Sequence, residues 1–239
     1  MATLLLGTFL IIVLAGIAQA VSGFGFMLVG VPLLALLLGP QQAVPVGLAI
    51  GQAIAILGWH RERAHVEWSP VWTLCVATAV GLPVGIFVFT ALPPGPLQIV
   101  IGMVVITATV LMLVQVRLPS GRPAQLGGGT LAGVLLGSSG MPGPVLVIVL
   151  QTLGLGPHAF RATLQAVFTI TGFVGLGAFL LAGGLTWDSL WLILVGLPGT
   201  WVGWRLGDLI FARLATSTLR TIVLVTLFAS GLTMLVRGF

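Results

Sequence analysis

Lysine, tyrosine and asparagine are absent from the 239 residues, and cysteine occurs once, at Cys75. Charge is scarce: nine arginines stand against four acids, and charged residues make up 5% of the chain. Each scarcity excludes something. A single cysteine makes neither an intrachain disulfide nor a cysteine-cluster metal site. Soluble domains carry about 25% charged residues, so a soluble fold of this length could not cover its surface with so few. A cytosolic enzyme, a disordered chain and a nucleic-acid binder are excluded. What the chain has instead is 58% hydrophobic residues and 34 glycines. Abundant apolar and small residues together are typical of packed transmembrane helices. The expected class is an all-α polytopic membrane protein.

Crossing a bilayer takes about 20 apolar residues. Such stretches run over 3–38, 42–60, 69–91, 96–116, 126–155, 162–182, 187–206 and 217–237. The first begins like a signal peptide and contains Ala18-Gln19-Ala20, a small-residue pattern. It lacks the Lys or Arg that a signal peptide carries ahead of its apolar region, so it is read as part of the fold. As one helix, 3–38 would be about 54 Å long at 1.5 Å per residue, too long for one straight crossing. It is interrupted at Ser22-Gly23-Phe24-Gly25-Phe26, and 126–155 is interrupted at Ser138-Ser139-Gly140-Met141-Pro142-Gly143-Pro144. Glycine and proline at this density break helices.

Arginine placement says what the interrupted stretches do. If each crosses once, Arg61, Arg63, Arg117, Arg122 and Arg237 share one side and Arg161, Arg205, Arg213 and Arg220 the other. If each turns back at its glycines, all except Arg237 share one side. The second arrangement obeys the positive-inside rule. It places the loops at 61–67, 117–125, 156–161 and 205–217 in the cytoplasm and both termini in the periplasm of a bacterial inner membrane. A shallow re-entrant V and a full hairpin satisfy the rule equally.

A shift of 117 residues superposes the sequence on itself. Ala15-Gly16 falls on Ala132-Gly133, Ser22-Gly23 on Ser139-Gly140, and Leu38-Gly39-Pro40 on Leu155-Gly156-Pro157. Eleven of the 44 positions from 15 to 58 are identical without a gap. Trp68 and Trp72 then match Trp187 and Trp191. The two interruptions coincide in this alignment. We therefore expect two membrane repeats, 1–119 and 120–239, in one transport unit, each a returning segment plus three crossings. That odd net count inverts one half against the other. Inverted repeats with paired broken helices mark secondary transporters, with the site near the midplane.

A helix that restarts inside the membrane points free N–H groups and the positive end of its dipole at the midplane. Restarts near Gly25 and Gly143 would form an anion site without buried cations. The candidate binding residues are Gln19, Ser22, Gly23, Phe24 and Gly25 at the first break and Ser139, Gly140, Met141 and Gly143 at the second. Gln52, Gln165 and Thr169 complete the set as polar residues within spans, Gln52 matching Thr169 in the repeat. Arg161 is a candidate guide at the cytoplasmic mouth. The expected ligand is a small anion. No metal or cofactor is called for, and oligomeric state is left open.

Glu62, Glu67, Asp188 and Asp208 sit at loops or span ends, as do His60, His65 and His158. Carriers coupled to protons or sodium place a carboxylate within the membrane, and this chain has none clearly placed there. The tryptophans read as interface or packing residues and Cys75 as filler.

These paired break motifs, each late in the first helix of a duplicated half, resemble those of the sulfite exporter TauE/SafE family. Gly81-Leu82-Pro83-Val84-Gly85 and Gly199-Thr200-Trp201-Val202-Gly203 resemble its repeated small-residue helix. The resemblance implies transport of sulfur-containing anions such as sulfite, sulfoacetate or another organosulfonate, and sometimes other organic acids. It fixes neither substrate nor direction; export is the expected direction because an inside-negative potential favours anion exit. Pro142-Gly143-Pro144 stands where the first half has Gly25-Phe26-Met27, so the two half-sites differ chemically. Two rival readings remain. One is a passive channel for small neutral solutes. The other is an intramembrane serine protease, since Gly137-Ser138-Ser139-Gly140 matches a rhomboid-like pattern, with His158 the sole later histidine.

Overall fold

The computed structural model describes residues 2–114, 121–211 and 216–238; the side chains of residues 2, 21, 22, 112, 208, 210, 211 and 216–223 lie outside that description. Ten α-helices and no strand occur among the described residues. The first half holds α1 (Ala2–Ser22), α2 (Gly25–Leu38), α3 (Pro40–Glu62), a 3-10 turn (Arg63–His65), α4 (Trp68–Ala91) and α5 (Pro94–Val114). The second holds α6 (Arg122–Ser139), α7 (Gly143–Gln151), α8 (Pro157–Leu181), α9 (Trp187–Phe211) and α10 (Thr216–Gly238). Five helical stretches are long and apolar enough to cross a bilayer, and Gly25–Leu38 and Leu224–Gly238 are shorter apolar helices. The protein is a polytopic helical membrane protein.

Both interrupted stretches turn back on themselves as short helical hairpins with incomplete returning arms. α1 stops where Gly23 takes φ +82°, and α6 where Gly140 takes φ +71°, backbone that a residue with a Cβ adopts at a cost. The Gly140 and Met141 amides close back on the Leu136 and Leu135 carbonyls, the reciprocal cap that ends many helices at glycine. Pro144 then sits in the first turn of α7, where its missing N–H costs nothing. The arms run antiparallel. A Cβ on Gly30 would lie 3.4 Å from the Ala15 Cβ, and one on Gly7 would lie 2.9 Å from Leu37. Gly128 likewise meets Val149 and Val145 across the second hairpin. The returning arms are short: 14 residues in α2 and nine in α7, about 21 and 14 Å. Neither spans a hydrocarbon core of about 30 Å.

The two halves are packed through each other. α1 lies parallel to α9, with Gly16 against Gly203 and Thr200. α6 lies parallel to α4, with Gly133 against Thr78 and Leu82, and Gly137 against Gly85 and Ile86. The first helix of each half is thus seated on the fourth of the other. Glycines face glycines at these seams, so backbone approaches backbone, the usual way membrane helices gain van der Waals contact. α3 and α8 cross antiparallel, through Leu48 with Gly175 and Gly58 with Gln165. α5 and α10 are also antiparallel, through Gly102 with Gly231 and Gly95 with Gly238.

The outer faces are apolar. On α4, Ala77, Gly81 and Gly85 face α6, whereas Val76, Val80, Val84 and Phe87 are 56–70% exposed. Such a stripe would be an association hazard in water; in lipid it is the solvated face. The described arginines, Arg237 apart, gather at one end. Arg61 lies over Trp204 at 5.2 Å, joining the ends of α3 and α9, and Arg205 lies over Trp201 within α9 at 5.3 Å. Glu62 lies 3.2 Å from His158, bringing in the start of α8 and with it Arg161. The parallel α4/α6 seam puts Arg122 at the same end. Arg237, beside the start of α5, is at the other. Arg117 and Arg213, and the Arg220 side chain, lie outside the described residues.

Candidate functional site

The two breaks meet in the middle of the molecule. α2 and α7 start from this point and run away from each other, and a Cβ on Gly143 would lie 3.6 Å from the Phe24 carbonyl oxygen. Between them is a cavity of about 50 Å³. That holds about three to five water-sized groups. Its wall takes Gln19, Phe24, Phe26 and Met27 from the first break and Gly140, Met141, Pro142 and Gly143 from the second. α3 adds Gly51 and Gln52; α8 adds Gln165, Phe168 and Thr171. Among the described residues no charged side chain lines it.

Three glutamines organise this centre. Gln19 braces the first break: its Nε2 donates to the Gly23 carbonyl at 2.9 Å, and its Oε1 accepts from the Phe26 amide at 3.0 Å. One of the first amides of α2, which have no partner within the helix, is therefore already engaged. Gln165 reaches across from α8, and its Nε2 donates to the same Gly23 carbonyl at 2.9 Å. Its Oε1 is buried without a hydrogen-bond partner. Gln52 donates from Nε2 to the Thr169 carbonyl at 2.7 Å, joining α3 to α8 where they cross. Glycines make room for two of these side chains: Gly58 under Gln165 and Gly172 under Gln52.

Of the residues expected from sequence, Gln19, Phe24, Gln52, Gly140, Met141, Gly143 and Gln165 line the cavity. Gly23 and Gly25 stand just behind it, in the turn and at the head of α2. Ser139 does not face it: its hydroxyl donates to the Leu135 carbonyl at 2.8 Å, and Ser138 donates to Val134 in the same way. Thr169 donates to Gln165 in its own helix; Thr171, two residues on, is the threonine on the wall. The Ser22 side chain is among those not described. Arg161 is exposed at the arginine-rich end of α8. It lies one turn before Gln165 on the same side of that helix, outside the cavity wall. Sequence reasoning missed Met27, Gly51 and Phe168, whose apolar or small side chains carry no chemical flag in so apolar a chain.

The serine-protease reading finds no support among the described residues. Ser139 is engaged with its own helix, and His158 pairs with Glu62 at the end of the bundle.

The arrangement is a small, uncharged, mostly apolar chamber with three carboxamides on its wall, at the junction of two short returning helices. The sulfite exporter TauE/SafE family model matches residues 8–234. The chain belongs to the TauE/SafE family. The match runs from α1 into α10 and so takes in both breaks and every cavity residue of this TauE/SafE protein. Comparison with curated proteins and with solved structures gave no match.

Proposed function

We propose that this membrane transporter carries a small sulfur-containing oxyanion through the central cavity, with export its working direction. The observation that carries the reading is the meeting of the two breaks. Both hairpins contribute their turn residues to one chamber, and the heads of α2 and α7 converge on it from opposite directions. Each helix head brings a partial positive charge. Together they favour an anion where no arginine is present. The volume suits a compact oxyanion such as sulfite; sulfoacetate or a longer organosulfonate would require the chamber to widen.

We also read the halves as inverted copies, supported by the antiparallel pairs α3/α8 and α5/α10 and by the exchanged seats of α1 and α6. Their pseudo-symmetry gives a carrier two related ways to open. A passive channel for neutral solutes would leave the convergence of helix heads without purpose.

Gly143→Ala tests the site. The added methyl would meet Phe24 and Phe168 at 3.6–3.7 Å, ordinary contact, so the backbone is kept while the chamber shrinks. The expected result is normal folding with sulfite binding to purified protein weakened by about tenfold, roughly 1.4 kcal/mol. Unchanged affinity would place the site elsewhere.

A further inference from the structure

Resting on that reading, we infer that the ion accepted by the cavity is a protonated monoanion, hydrogensulfite in the case of sulfite, and that Gln165 Oε1 receives its O–H.

Charge and hydrogen bonding lead to the same species. An ion entering the chamber leaves water for a wall of aromatic, aliphatic and carboxamide groups. The desolvation cost rises with the square of the charge, so a dianion costs about four times what a monoanion does. Two helix heads supply only fractional charges, each equivalent to about half an elementary charge. That offsets one negative charge and not two. Among the described residues no cation lines the wall to balance a second.

Gln165 adds the chemical detail. It is 6% exposed. Its amide orientation is fixed by its partner: the Gly23 carbonyl accepts hydrogen bonds only, so the NH2 group must face it. Oε1 is left as an acceptor with nothing to accept, an unfavourable state for a buried polar atom. A fully deprotonated oxyanion brings only acceptors and would repel it. A protonated one brings the missing donor. The remaining oxygens of the ion then face the positive ends of α2 and α7.

The ionisable groups on the elements packed around Gln165 stand away from the chamber. α3 carries His60, Arg61 and Glu62 beyond Gly58, the segment after it carries Arg63, His65 and Glu67, and α8 carries His158 and Arg161 before Gln165. None lines the cavity, and α1, α2 and α7 carry no charged residue.

The test measures affinity of the purified protein for sulfite, sulfate and methanesulfonate over a pH series spanning the second ionisation of sulfite. Sulfite affinity should fall about tenfold per pH unit above that ionisation. Sulfate, a dianion throughout, should bind weakly at every pH. Methanesulfonate, a monoanion without an O–H, should bind with intermediate affinity and no pH dependence. Gln165→Met should remove the advantage of hydrogensulfite over methanesulfonate. Sulfite affinity that stays level or rises with pH, or sulfate binding as tightly as sulfite, would overturn the inference and leave the transport reading standing. A slope shared by methanesulfonate would assign the titration to the protein and also overturn it. Absence of binding by all three anions at every pH would remove the transport reading itself.

Discussion

Gln19 and Gln52 are both buried amides on the cavity wall, yet they hold different things. Gln19 ties the Gly23 carbonyl in the turn to the Phe26 amide at the head of α2. Gln52 donates to a carbonyl in the middle of α8, one that already has its place in a helix ladder. Removing Gln19 leaves a buried amide unpaired; removing Gln52 does not. We therefore expect Gln19→Leu to lower stability by about 1–3 kcal/mol. Gln52→Leu should cost less, in line with about 0.6 kcal/mol for a typical intramembrane hydrogen bond. Thermal unfolding in one detergent compares the two, and equal losses would contradict the brace. The glutamines were legible as polar residues in apolar spans. Their partners were not, because nothing in the sequence says which carbonyl lies opposite. The partners of the two described serines at the second break were hidden for the same reason. A hydroxyl near a helix end has a carbonyl of its own helix four residues back, and at Ser138 and Ser139 that local bond wins.

At the scale of the helix, small residues decide which face touches which neighbour. α6 carries both kinds of glycine. A Cβ on Gly133 would run into the Thr78 carbonyl of α4, whereas one on Gly127 would meet nothing within 4 Å. Gly133→Ala should overpack the seam and destabilise by about 1–3 kcal/mol. Gly127→Ala should be neutral or gain up to about 1 kcal/mol from helix propensity. Opposite signs for the same substitution, at two positions of one helix, are the expected thermal-shift result. The breaks themselves were legible almost to the residue, since Gly23 and Gly140 are where the backbone turns left-handed. Whether each stretch makes a V or a hairpin was not. Arginine counting registers the face a segment returns to, whereas depth depends on arm-to-arm contacts such as Gly7 with Leu37.

For the whole molecule, we propose an orientation from the arginines at one end: by the positive-inside rule the ends of α3 and α9 and the start of α8 would lie in the cytoplasm. A cysteine at exposed Ala64, on a Cys75→Ser background, should react with a membrane-impermeant reagent only after cells are opened. One at exposed Ala91, at the far end of α4, should react in intact cells. The reverse pattern would invert the assignment of both termini to the periplasm. Orientation also bears on driving force. An inside-negative potential is worth about 2.3 kcal/mol per charge per 100 mV, and it favours exit of an anion. Efflux of methanesulfonate from loaded proteoliposomes should follow an imposed potassium-diffusion potential at constant pH. With the voltage clamped at zero, a pH gradient should not make it accumulate. Accumulation would show a proton taken up by the protein, with His60 the first residue to replace.

The exchange of seats between the halves has a consequence for how the chain is made. α6 emerges to find α4 already in place. α1 must wait for α9: Gly16 meets Gly203, 187 residues further along. At about 5–20 residues per second, the first helix spends roughly 10–40 s in the bilayer with its glycine groove facing lipid. Through that interval it has no arginine of its own to hold it upright, and its direction depends on Arg61 and Arg63, made after it. A ribosome that stalls before α9 releases a chain whose first helix has α2 beside it but an empty glycine seam on its other side, a ready mark for membrane quality control.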